Sequence, residues 1–287
     1  MIQYNPREWF GLIFRFHKSD TFRILFPAML VLGLYAGAVT YLLIDFFHFK
    51  IKSTTVLHSL LGFVISLLLV FRTNTAYDRW WEARKLWGAL VNNSRNLSIK
   101  LKAFVPSNEH VYFETIIGNF CMALKHHLRN QSHWENLKGC DGFDPQKVKE
   151  KAHLPNQMAL LLFAKANELY KKQHLTGEQF FLIKEELTSF TDITGACERI
   201  KNTPIPYSYS LFIKKFIFIY TLTIPFGLLS DFVYWNILIS MFVFYALASL
   251  EVIAEEIEEP FGKESNDLPT DSIVENIKKS IAEIFAS

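Results

Sequence analysis

The chain has 287 residues; half are hydrophobic and 15% aromatic, yet 20% are charged. That mixture excludes both a wholly membrane-embedded bundle and an ordinary water-soluble domain, and it calls for separate membrane and aqueous parts. The net charge of +2 is too small to argue for nucleic acid, and Cys121, Cys140 and Cys197 form no CxxC pair, so reduced thiols are expected rather than a disulfide framework.

In residues 1–23, Trp9, Phe10, Leu12, Ile13, Phe14 and Phe16 alternate with Arg7, Arg15, His17 and Lys18. The apolar runs are too short for a signal peptide. The pattern predicts an interfacial segment on the cytoplasmic membrane surface. Ile24 to Ile44 carries no charge and is long enough to cross a bilayer alone, which takes roughly 20 residues. Pro27 falls near its start, where proline is tolerated. A turn holding Lys50 and Lys52 follows.

The stretch VLHSLLGFVISLLLVFRTNTAYDRWWEARKLWG, Val56 to Gly88, organises the rest. It reads as one helix that leaves the membrane near Trp80 and Trp81, with its membrane part over 56–83 and a polar continuation toward Lys102. Its mostly apolar run ends at Phe71, short for a lone lipid-exposed span. Phe63, Leu67 and Phe71 stand at i, i+4 and i+8 and share a face. Ser59 and Ser66 lie close to that face, and Arg72 and Asn74 follow at its foot. Such a face is either ordinary packing or a hydrophobic collar with a polar mouth and vestibule, of the kind that gates by dewetting.

Residues 84–207 read as an aqueous helical domain. Val111 to Arg129 places Phe113, Ile116, Ile117, Phe120 and Leu124 on one face. Asn156 to Lys172 offers Leu160, Leu161, Phe163 and Leu169. Thr176 to Lys201 opens with a capping box, Thr176 and Gln179. Pro106, Gly139, Gly142, Pro145 and Pro155 mark loops. Tyr207 to Ser230 is a third span, interrupted by Lys214 and Lys215 and loosened at Pro225. Phe232 to Leu250 is the fourth and is expected to continue to Glu259 and stop at Pro260. Residues 208–259 thus hold the third and fourth spans, and 260–287 form a tail with a helix over Asp271 to Phe285. No strand pattern of useful length occurs, so the chain is expected to be all-α. Basic residues of the N-terminal segment and the central region, with an even number of spans, place both termini and the central domain in the cytoplasm.

No nucleophile elbow, zinc-peptidase helix, phosphate loop or dinucleotide fingerprint is present, so no enzyme is expected. His126 and His127 are adjacent and point apart, and Cys121 lies off their faces, so no metal site is expected from them. Asp78, Arg79, Glu82 and Lys85 fit i,i+3 ion pairing. Glu255, Glu256, Glu258 and Glu259, with Asp267 further on, are oxygen donors of the type calcium uses. Pairing with Arg72, Arg79 or Arg84, or exposure to water, is the competing expectation.

The stretch Ser59 to Gly88 resembles the second transmembrane helix of the bestrophin family, with its S-L-L-G, F-R-x-N-x-x-Y-x-R and E-A-R-x-L-W-G. CERIKNTPIPYSYS (Cys197 to Ser210) and EEIEEPFGKESNDLP (Glu255 to Pro269) are similar to later family stretches, in the same order. The resemblance implies a membrane ion channel of five identical chains, a homopentamer in a lipid bilayer, that passes small inorganic ions through a neck lined by Phe63, Leu67 and Phe71. It implies chloride or other anions; a sodium-selective cation channel of the same architecture, or a non-conducting four-span scaffold or receptor, are the alternatives. It also implies a second constriction at the cytosolic exit, where ungapped counting back from Cys197 places Glu178. In eukaryotic members an Asp-rich stretch after P-F-G binds calcium. Here Lys263 and the missing Asp run depart from that pattern, so no cofactor is expected.

Overall fold

A computed structural model describes residues 20–49, 54–131 and 133–287. The interfacial segment predicted for the N-terminus, and Lys50 and Lys52, lie outside the described residues save for the stretch from Asp20 to Arg23. Among the described residues every extended element is helical; the only β pairing is an isolated bridge between Cys140 and Phe143. In chain order the helices are α1 (Asp20–Thr40), α2 (Thr55–Phe104), α3 (His110–Leu128), α4 (Leu154–Lys171), α5 (Gly177–Asn202), α6 (Tyr207–Phe232), α7 (Trp235–Glu258) and α8 (Thr270–Ala286). Four of them, α1, α2, α6 and α7, are long and apolar enough to cross a membrane.

The chain divides into two compact units. One holds residues 20–79 and Pro204–Glu258, and the other holds Trp80–Thr203 and Glu259–Ser287. The first, here the membrane unit, contains α1, the first half of α2, α6 and α7. The second, the helical unit, contains the rest of α2 with α3, α4, α5 and α8.

In the membrane unit α1 begins at Asp20, so Pro27 stands inside the helix rather than in its first turn. There it removes the amide that would bond back to the carbonyl four residues earlier. Beyond Thr40 the helix widens into a π-helical turn over Tyr41–Phe46, which the sequence pattern does not reveal. The core of this unit joins Ile65 and Leu69 of α2 to Ile213, Ile217, Tyr220 and Ile224 of α6 and Leu247 of α7. Two glycines permit close approach of α2 and α6. A Cβ on Gly62 would lie 2.8 Å from the Tyr220 hydroxyl, and one on Gly227 would lie 2.5 Å from His58 Nδ1. Tyr209 and Tyr220 donate their hydroxyls to the carbonyls of Leu68 and His58, so the phenol oxygens are satisfied inside an apolar unit. Lys214, which breaks the third predicted span, is paired with Glu255 of α7 through both carboxylate oxygens at 2.9 and 3.0 Å.

The helical unit has one large core. Trp87, Leu90, Leu97 and Leu101 of α2 meet Phe113, Ile116, Ile117, Phe120 and Leu124 of α3, the face expected from spacing. On α4 the buried face is Met158, Leu162, Ala166 and Leu169, whereas Leu160 and Phe163 are exposed. The run Ala159 to Phe163 is apolar on every side, so its spacing does not select a face, and contact with α3 and α5 does. Thr176 accepts the Gln179 amide and Gln179 returns a bond to the Thr176 amide, completing the predicted capping box of α5.

Helix α8 docks through Val274, Ile277, Ile281 and Phe285, with Ile273 and Ile284 half-buried at the margins. Its position is held by charge as well. Asp271, in its first turn, accepts from Arg129 at 2.8 and 3.1 Å and from Lys125 at 2.8 Å. Arg129 also donates to Thr270 Oγ1 and to the Phe261 carbonyl. The Arg129 bonds hold the Asp271 carboxyl well below the ordinary carboxylate range, against an opposing effect of burial, with Lys125 adding to them. A depressed carboxyl stabilises the fold above its unfolded pKa of about 4, and that stabilisation fades as pH falls further. Asp271 is more than half exposed, so solvent screening limits the effect. Asp271→Asn is expected to lower stability at pH 7 by about 1 kcal/mol. The difference from the parent protein should shrink below about pH 4, measured by tryptophan-monitored unfolding in detergent.

Candidate functional site

Rotation of α2 about its axis decides which of its residues are available. Buried positions are His58, Ile65, Leu69, Arg72 and Ala76, steps of seven, four, three and four. They trace one stripe along a helix. The predicted collar residues lie off this stripe: Phe63 is 67%, Leu67 46% and Phe71 56% exposed. Ser59, Ser66 and Asn74 are exposed too. Val64 and Val70 are exposed as well, so in a single chain the open face is broader than the collar.

The hydroxyls beside the collar are committed. Ser59 Oγ donates to the Thr55 carbonyl at 2.8 Å and Ser66 Oγ to the Gly62 carbonyl at 2.7 Å. Thr75 does the same to Phe71 at 2.9 Å. Each leaves only oxygen lone pairs facing outward. The face therefore offers an ion apolar rings and a few acceptors.

Arg72 departs from the expected placement at a pore mouth. It is only 1% exposed and lies on the buried stripe. Its Nη1 is 2.7 Å from Glu258 Oε2 and its Nε is 3.5 Å from Glu251 Oε2, both on α7. A guanidinium cannot lose its proton, so inside an apolar unit it must find carboxylates. Glu258 is shared further: its Oε1 accepts the Ile205 amide at 2.7 Å, and its main-chain carbonyl accepts from Arg79 Nε at 3.2 Å. Glu251 lies outside the acidic candidates of the sequence; a charge at that depth of an apolar helix is the signal that finds it.

The remaining acidic candidates divide between the units. In the membrane unit Glu255 pairs with Lys214 and Glu258 with Arg72. In the helical unit Asp267 is buried and accepts the Glu264 amide at 2.6 Å, while Glu259 is exposed. The pairing expected of this run with Arg72 is present, and the described contacts do not gather these oxygens around a common point. Glu178 is exposed in the first turn of α5. One turn on, Phe181 is exposed too. On the helical part of α2, Glu82 reaches Arg199 of α5 rather than serving only its own helix.

His126 and His127 point apart, as their adjacency requires. His126 lies against Gln131, Asn136 and the ring of His133. His127 meets His153 and Glu198, a grouping of three residues far apart in sequence. Burial raises the Glu198 carboxyl, but the hydrogen bonds from His153 and His127 outweigh it and leave the group below its ordinary range. Cys121 and Cys197 are buried, and that burial pushes each thiol up to about 12, far from a reactive thiolate.

Three comparisons place this arrangement among known proteins. The family model described as Bacterial/Fungal Bestrophin protein matches residues 1–283. A voltage-dependent anion channel-forming protein of Nostoc sp. (strain PCC 7120) is 32% identical over 289 residues, which cover 97% of this chain and 92% of that protein. One from Escherichia coli (strain K12) is 33% identical over 280 residues, with the same two coverages of 97% and 92%. The crystal structure of a point variant of a bacterial bestrophin homologue from Klebsiella pneumoniae has a TM-score of 0.82 at 25% identity, covering 90% of this chain and 98% of that one. The ordered motifs, the four apolar helices and the match along nearly the whole length agree: the chain belongs to the bacterial and fungal bestrophin family.

Proposed function

We propose that this protein is a passive anion channel assembled from five copies, with the open face of α2 turned toward the common axis. The observation that carries the reading is the division of α2 into two sides. Arg72, Leu69 and Ile65 hold one side inside the protomer, and Phe63, Leu67 and Phe71 stand on the side left free. The relatives described as voltage-dependent anion channel-forming proteins support an anion as the permeant ion. Large apolar side chains exposed along all four spans need lipid or neighbouring copies to cover them. Five copies would stack three apolar rings. Such rings provide no polar atom to replace a hydration shell, so a narrow state dewets and a wider state passes hydrated ions with little discrimination by size.

Phe63→Ala, Leu67→Ala and Phe71→Ala should each raise conductance or open probability severalfold in planar bilayers, with the reversal potential changed less than the current. Val64→Ala serves as the off-collar control and should leave current near the parent level. Leu68 packs on the membrane-unit core, so Leu68→Ala reports lost packing, at about 2–5 kcal/mol for a truncated core leucine. A triple collar variant that assembles and conducts like the parent would exclude this face as the gate.

A sodium-selective channel on the same framework is the second reading. It is favoured by the outward lone pairs beside the collar and by exposed Glu178. Five copies of Glu178 at a cytosolic exit would repel anions there. Glu178→Gln should then shift the reversal potential in asymmetric sodium chloride toward the chloride potential. An unchanged value removes Glu178 from selectivity. No conductance from the parent protein would favour the scaffold alternative.

Four spans with the helical unit inside would leave both termini cytoplasmic. In a background lacking Cys121, Cys140 and Cys197, a membrane-impermeant thiol reagent should modify Lys50→Cys and spare Ser287→Cys in intact cells. Labelling of Ser287→Cys would overturn that topology.

A further inference from the structure

Three residues that no channel role uses converge in the helical unit. His127 lies in the last turn of α3, His153 immediately precedes α4, and Glu198 lies in the C-terminal half of α5. Both imidazoles aim the same nitrogen at the same oxygen. His127 Nε2 is 2.6 Å and His153 Nε2 is 2.8 Å from Glu198 Oε1. The two rings lie 4.4 Å apart between centroids. All three side chains are partly exposed, between 26% and 30%, so an ion from solution can reach them, while their backbones are held in α3, at the cap of α4 and in α5.

We propose that His127, His153 and Glu198 form a binding site for one divalent transition-metal ion per chain, of which zinc is the best match. The donor set is two imidazole nitrogens and one carboxylate oxygen. That set suits a borderline ion such as Zn²⁺ and not Ca²⁺ or Mg²⁺, which take oxygen ligands. The three donor atoms lie within 4.8 Å of one another. Zinc bonds of about 2.0–2.2 Å at tetrahedral angles place ligand atoms roughly 3.3 Å apart. The two nitrogen–oxygen separations therefore open by about half an ångström when an ion enters. A solvent molecule can complete the fourth position on the exposed side.

The hydrogen bonds among these residues show what the ion must displace. The Asn156 amide donates to His153 Nδ1 at 3.2 Å, so this nitrogen caps α4. With Nδ1 accepting, a neutral His153 carries its proton on Nε2 and donates it to Glu198. His127 donates from Nε2 likewise. A metal takes the place of both Nε2 protons. In neutral rings those protons move to Nδ1, so on His153 the cap to Asn156 is given up. Pro155 has no amide, so among the first three residues of α4 only Leu154 and Asn156 offer a backbone donor. Metal binding is thus coupled to loosening of the first turn of α4. Lys201, three residues beyond Glu198, is the nearby cation. Its ammonium is taken by the His127 carbonyl and Asn130 Oδ1 at 2.8 and 2.6 Å, so it does not occupy the carboxylate.

The test uses the full-length channel in detergent, chelator-treated, dialysed and freed of any polyhistidine tag. Co²⁺ serves as the coloured probe and Zn²⁺ as its competitor. The expected result is one Co²⁺ per chain with intense visible d–d absorption and no thiolate charge-transfer band, abolished by an equivalent of Zn²⁺. Zn²⁺ should also speed hydrogen exchange at the Asn156 amide. Glu198→Gln and His127→Gln should each weaken binding at least tenfold. His153→Asn removes the ligand but keeps a side chain able to cap α4, so it should lose metal while melting like the metal-free parent. His133→Gln should bind as the parent does. Absence of the absorption band in the parent protein overturns the proposal. So does a one-to-one complex that survives in the His127→Gln, His153→Asn double variant. If a single variant fails to assemble, stoichiometry and band shape in the parent, with His153→Asn, still decide the outcome.

Discussion

The membrane unit depends on how one buried cation is accommodated. Arg72 sits at the end of the apolar stretch of α2 and brings a guanidinium, a planar cation that needs hydrogen-bonding partners, into the unit. Buried to 1% exposure, it needs carboxylates, and Glu258 and Glu251 of α7 provide them. Taking away one member of such a buried group costs about 3–5 kcal/mol because the partner's charge is stranded. The pairing also fixes rotation. Once Arg72 faces α7, Leu69 and Ile65 follow it inward. Phe63, Leu67 and Phe71 are then left on the open side. A rotation of α2 that hid the phenylalanines would drag the arginine toward lipid or water and strand two glutamates.

Around that pairing the unit satisfies its polar groups locally. Serine and threonine hydroxyls bond to carbonyls one turn back on their own helices. Tyrosine hydroxyls of α6 bond to carbonyls of α2. Such bonds matter where no water competes for the same groups. They also shape the open face chemically, because hydroxyl protons already spent on the backbone are not available to an anion. If ions pass along this face, discrimination between opposite charges falls to groups elsewhere on their route and to the orientation of aromatic rings, whose edges are positive and faces negative.

The helical unit is built on a different balance. Its core is large, aromatic and continuous across five helices, with Phe120 and Phe190 in edge contact at 4.5 Å. Two of its charged contacts lie at the ends of α8, where the macrodipole rewards them: Asp271 at its start, and Lys102 on the Phe285 carbonyl at its end. The His127, His153 and Glu198 group belongs to this same class of end contact, drawing together the ends of two helices and the body of a third.

The sequence by itself determined the helices, the four apolar spans and the family, because those follow from local properties. Charge-free length, i, i+4 spacing, the Thr176 capping box and ordered motifs are all readable without knowing neighbours. Tertiary structure decided which side of each helix is used. The α4 stretch Ala159 to Phe163 is apolar all round, so only packing selects Leu162 over Leu160. Arg72, placed by spacing at a polar mouth, turns inward because a buried carboxylate pair awaits it on α7, separated from it by nearly two hundred residues. His127, His153 and Glu198 lie apart in the chain, and no spacing rule links them. Helix ends that meet only after folding bring their donor atoms together, since side-chain convergence is set by the packing of helices and not by distance along the chain.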